Sequence, residues 1–166
     1  MGKYALMVTI LLTDCATGQL TDRVATLHHD PQRILEAVAQ RMGIRLRPDI
    51  PVPVVRFESG TKLERMQAAA ERQWGYRPET FANVYAIAEN RIYLIDDADF
   101  YEQHARTLDD ALAHEFVHYL QAIYRRDEFG SEWSEAEAIA LQNWFRKERM
   151  APILTASVAE PRGRNR

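Results

Sequence analysis

A chain of 166 residues, 46% of them apolar, is long enough for one domain around a single core and cramped for two. Its 21 basic and 24 acidic residues leave a formal charge of −3 with no basic field, which excludes the usual footprint of a nucleic-acid partner. Cys15 is the only cysteine, so neither an internal disulfide framework nor a cysteine-based zinc ribbon is available, and any metal must be held by histidine and carboxylate.

The first apolar run, YALMVTILL at 4–12, is far too short for a bilayer, which takes about 20 residues. It reads equally as the h-region of an export signal, after Lys3 and before Thr13 and Cys15, or as a strand paired with DRVATLH. Residues 1–30 are therefore expected to form an N-terminal hairpin or a signal-like segment, and the compartment, cytoplasmic or exported, turns on which. Asp14 in LTDC departs from a lipobox. His28 and His29 are neighbours that would point apart on a strand, which predicts solvent exposure rather than a second metal site.

DPQRILEAVAQRMG spaces Ile34, Leu35, Val38 and Met42 as on a helix and ends in Gly43, predicting a helix over 31–42. In DIPVPVVRFE, Pro51 and Pro53 allow only an edge strand or an extended lead-in. TKLERMQAAAERQWG is rich in helix formers and stops at Gly75, predicting a second helix. NVYAIAENRIYLID has two β-prone runs split by ENR, a hairpin signal whose second strand, 92–95, closely precedes the next helix. DDAD at 96–99 lacks the glycine and distal glutamate of an EF-hand loop and reads as a solvated connection. Trp74, Trp133 and Trp144 read as core aromatics. The chain after 150 lacks apolar periodicity, so 151–166 is expected to be a flexible tail and 31–150 the folded, α+β domain.

TLDDALAHEFVHYLQAIYRR carries helix signals at both ends: Thr107 as N-cap, Asp109 and Asp110 in the first turn, Arg125 and Arg126 in the last. At about 100° per residue, Leu112, Phe116, Tyr119, Leu120 and Ile123 make one apolar face, while His114, Glu115, His118 and Ala122 project from another. Two imidazoles one turn apart can share a tetrahedral ion, with Glu115 beside them to reach a water on it. The plain alternative is a pair of histidines hydrogen-bonding on a partly exposed face. Gln121 and Tyr124 stand where a metzincin would need glycine and histidine, which excludes that class.

HEFVH, followed 17 positions after His118 by EAEA, resembles the gluzincin superfamily of HExxH zinc metallopeptidases; the likeness covers roughly 92–145 and extends to minimal gluzincins and small bacterial HExxH proteins. It implies a small zincin-like fold, a short sheet packed on the HExxH helix and a second helix carrying a third-ligand glutamate. SEWSEAEAIALQNWF offers two such glutamates. With Ser134 read as N-cap, Glu137 falls at the N3 position of a capping box, and it shares an arc with Leu141 and Trp144, whereas Glu135 shares its side with Ile139, Gln142 and Asn143; this favours Glu135. Carried over, the resemblance makes His114, His118 and Glu135 the Zn²⁺ ligands and Glu115 the general base of a zinc-activated water. Where many gluzincins place Asp or Asn four residues after the ligand glutamate, this chain has Ile139.

The resemblance implies hydrolysis of a peptide or protein substrate, with Tyr119, Tyr124, His104 and Tyr93 as candidate oxyanion donors. A free edge on strand 92–95 would suit an extended peptide. A zinc-binding regulatory or partner-binding domain with little hydrolysis, and a metal-free domain with an accidental motif, are the other classes.

Overall fold

The computed structural model describes residues 23–126 and 132–150. The N-terminal apolar run, the paired half of its hairpin before residue 23, and the tail from 151 lie outside the described residues, as does the side chain of Trp133. The architecture is α+β, with five α-helices and a three-stranded sheet among the described residues.

Helix α1 spans Pro31–Arg41, opened by Asp30, whose carboxylate accepts from Gln32 N, and by Pro31, whose missing N–H costs nothing in the first turn. Gly43 just beyond it has φ 68°, a left-handed conformation suited to glycine. Strand β1, Val54–Phe57, lies at the sheet edge, and the prolines form the extended lead-in before it. Helix α2, Leu63–Trp74, stops at Gly75 with φ 75°. Strands β2, Val84–Ala86, and β3, Arg91–Leu94, form the predicted hairpin, turned by left-handed Asn90.

The sheet order is β1-β3-β2, with β1 parallel and β2 antiparallel to β3. The second hairpin strand is therefore central and has no free edge. Strand alternation divides the core: Tyr85, Ile92 and Leu94 join the helix-rich cluster, while Val84, Ala86 and Tyr93 pack with Met66, Ala69 and Ala70 of α2.

DDAD is structural rather than a solvated connection. Asp96 is buried and accepts from the backbone and hydroxyl of Ser59, and Asp97 caps a short helix α3, Ala98–Gln103. Nearby, Val24 makes a single bridge to Asp97 in place of a full strand. Trp74 is 44% exposed and stacks on Tyr76, while Trp144 is half-buried against the guanidinium groups of Arg41 and Arg149, so neither is a plain core aromatic.

His28 is exposed, as expected, and His29 half-buried, but the two rings do not point apart. Their backbone N–H groups lie 2.9 and 2.8 Å from the Asp109 carboxylate, and both Nδ1 atoms approach it, at 3.3 and 2.8 Å. Asp109 is fully buried in the first turn of α4, Leu108–Tyr124. Four donors on one carboxylate explain how it tolerates burial. A bend of the chain at the two histidines, unlike an extended strand, lets both rings converge.

Candidate metal site

Helix α4 begins with the capping box Thr107–Asp110: the threonine hydroxyl accepts from Asp110 N at 3.1 Å, and the Asp110 carboxylate accepts from Thr107 N at 3.0 Å. Nearly all of the helix is buried, against α1, α5 and the sheet. On this rigid support the i, i+4 spacing brings His114 and His118 together, Nε2 to Nε2, at 3.0 Å.

Helix α5 spans Glu132–Phe145 and packs against α4. It brings Glu135 to 3.5 Å from Nε2 of His114 and 3.3 Å from Nε2 of His118. For metal–ligand bonds of about 2.0–2.1 Å at tetrahedral angles, ligand atoms lie about 3.3 Å apart. His114, His118 and Glu135 thus form a cluster that could hold a metal ion, and among the described residues no other set of three does. Two imidazole nitrogens this close cannot face each other with bare lone pairs; a proton or a cation must lie between them.

Ser134 is not the N-cap of α5, because the helix starts two residues earlier; it sits inside the first turn, buried. Glu137 is consequently no capping-box residue. It accepts from Gln121 Nε2 at 3.0 Å and from Arg125 Nη1 at 3.0 Å, away from the histidines. Glu135 is the glutamate at the cluster, and the reason is helix placement rather than capping.

A pocket of about 480 Å³ contains all four motif residues, His114, Glu115, His118 and Glu135, together with Gln73, Trp74, Asn83 and Tyr85. A wider groove of about 870 Å³ between α1 and the 43–52 loop includes none of them. Glu115 is buried, and burial pushes its carboxyl up to about 7; the charge of His118 opposes this, that of Glu135 adds to it, and a backbone hydrogen bond from Tyr85 opposes it. Burial, reinforced by the charge of His118, lowers His114 to about 4. For His118, burial alone would lower the pKa, but the Glu135 hydrogen bond and the charges of Glu115 and Glu135 together raise it. The hydrogen bond to His118 holds Glu135 below the ordinary carboxylate value. A buried carboxyl beside a nitrogen–carboxylate cluster is placed to exchange protons with a group held there.

The oxyanion candidates do not reach this pocket. Tyr119 donates to Pro51 O at 3.3 Å, Tyr93 to Glu89 at 2.8 Å, Tyr124 accepts from Arg47 N at 3.1 Å, and His104 Nδ1 bonds Phe100 O at 2.6 Å. The edge beside the cluster belongs to β2, not to β3. There the Gln73 side chain donates to Tyr85 O at 3.1 Å and accepts from Ile87 N at 3.0 Å, as a neighbouring strand would.

Behind the histidines, His118 Nδ1 meets Gln121 Oε1 at 3.1 Å. His114 Nδ1 is buried without a hydrogen bond of normal geometry; the charge of Glu135 and, more weakly, Gln142 of α5 favour its protonated form. Gln142 donates to Asp110 at 2.8 Å, so α5 supplies the polar groups behind the cluster where Ile139 cannot. A polar residue on the buried side of an apolar helix was the one sequence signal for Gln121; Gln73 and the Tyr85 backbone carried none. No protein-family model matches this chain, and no curated protein or solved structure shows significant similarity to it.

Proposed function

We propose that this protein is a zinc-dependent metallopeptidase of gluzincin-like type, with His114, His118 and Glu135 as metal ligands and Glu115 as general base. The observation that carries the reading is the convergence of the two Nε2 atoms and the Glu135 carboxylate within 3.0–3.5 Å, in the same pocket as a buried carboxyl with a pKa of about 7. The donor set fits the metal: two neutral imidazoles and one carboxylate suit zinc, leave a net positive centre, and the half-exposed Glu135 leaves one side open to the pocket. When bound, zinc supplies a Lewis acid and lowers the pKa of water towards about 7.

The protein's own part is proton handling and orientation. Glu115 takes a proton at its carboxylate from the attacking water and passes it to the leaving nitrogen, and the backbone N–H of Tyr85 holds that carboxylate in place. The β2 edge beside it supports an extended peptide as substrate.

A second reading, a zinc-binding module with little hydrolysis, is favoured by Gln73, which already takes up Tyr85 O and Ile87 N on that edge. Metal analysis and cleavage of an unstructured peptide library separate the two. The peptidase reading expects about one zinc per chain, cleavage abolished by chelator and restored by zinc, and a Glu115→Gln variant that keeps zinc but loses most cleavage. Zinc-loaded wild type that cleaves nothing gives the module reading precedence; a metal-free chain removes both.

A further inference from the structure

We infer that Gln121 is a positioning residue that makes His118 and Glu135 competent to bind metal together. The inference rests on the proposed metal site and concerns how this chain builds it without an acidic residue at 139.

The Gln121 side chain is fully buried and its amide can be oriented in only one way. Nε2 lies 2.9 Å from Ser134 O and 3.0 Å from Glu137 Oε2, two acceptors; a flipped amide would set its oxygen against both. Oε1 must therefore face His118 Nδ1, at 3.1 Å. An amide oxygen only accepts, so it favours the tautomer of neutral His118 that carries its proton on Nδ1 and leaves the lone pair on Nε2, the atom facing His114 and Glu135. Without that acceptor the competing tautomer gains ground, because Nε2–H can donate to Glu135, 3.3 Å away, and so block the ligand atom.

The same amide fixes the other helix. Ser134 O, which it holds, immediately precedes Glu135 in the chain, so one buried group orients a ring on α4 and anchors the backbone beside the third ligand on α5. Partners of this kind behind a metal ligand typically change affinity about 10- to 100-fold.

The test titrates metal-free full-length protein with Zn²⁺ and, before zinc is added, records imidazole ¹⁵N shifts of His118 at a pH high enough that the ring is neutral. Gln121→Met keeps length and burial but removes acceptor and donor. It should bind zinc about 10- to 100-fold more weakly and move His118 towards the Nε2–H tautomer. The exchange Gln121→Glu with Glu137→Gln keeps an acceptor for His118 at position 121 and moves a donor to position 137, but leaves Ser134 O without its donor; it should restore the Nδ1–H tautomer with only part of the affinity, and its tautomer decides the matter if the methionine variant fails to fold. A lower melting temperature with unchanged tautomer and zinc affinity would mark Gln121 as merely structural and overturn the inference, as would an exchange variant that folds without recovering the Nδ1–H tautomer. Wild type that binds no zinc would end the metal reading, while the tautomer of the metal-free protein would still decide the role of Gln121.

Discussion

Glu137, two residues beyond Glu135, lies 3.0 Å from the guanidinium of Arg125, an ion pair that turns its carboxylate away from the histidines. The two glutamates of one helix turn thus have separable roles. Glu135→Ala should abolish tight zinc binding, measured by titration. Glu137→Ala should keep the ligand set and lose about 1 kcal/mol of stability, since its ion pair is partly exposed. Loss of zinc from the second variant alone would reverse the assignment.

Glu115 should make the stability of metal-free protein fall as pH rises. Its folded pKa of about 7 stands above the ordinary 4.5, so the stabilisation is complete below about 4.5 and is lost as pH climbs through 7. Glu115→Gln does not titrate. In chelator it should exceed wild type by on the order of 3 kcal/mol at pH 8 and by little at pH 4.5, in urea unfolding. A gap that stays constant with pH would contradict the shift.

Asp109 should be a stability residue with no part in metal binding. Asn at 109 keeps one acceptor oxygen and turns an NH₂ towards groups that now donate from His28 and His29. Asp109→Asn should cost about 2–4 kcal/mol by denaturant midpoint, with zinc affinity unchanged.

Gln73→Ala should free Tyr85 O and Ile87 N for a peptide. If the peptidase reading holds, KM for extended peptides should drop about 3- to 10-fold, the worth of roughly one hydrogen bond, with kcat little changed. A rise in KM would show instead that the amide contacts substrate.

Interactions within about one helical turn were readable directly from the sequence. The Thr107 cap, the Gly75 stop, the edge-strand prolines and the pairing of His114 with His118 all depend on backbone geometry repeated over a few residues, which fixes them before any packing. The resemblance added Glu135, but the capping argument for it failed because α5 begins at Glu132, which puts Ser134 inside the first turn. Packing alone decided the rest. The parallel crossover from β1 made β3 central and left the β2 edge at the pocket; the path of residues 23–30 over the start of α4 brought His28 and His29 onto Asp109; and the docking of α5 on α4 set Gln121 against Ser134. Those partners lie 13 to 81 positions apart or on different elements, and side chains that distant meet only where burial of the shared core puts their backbones together.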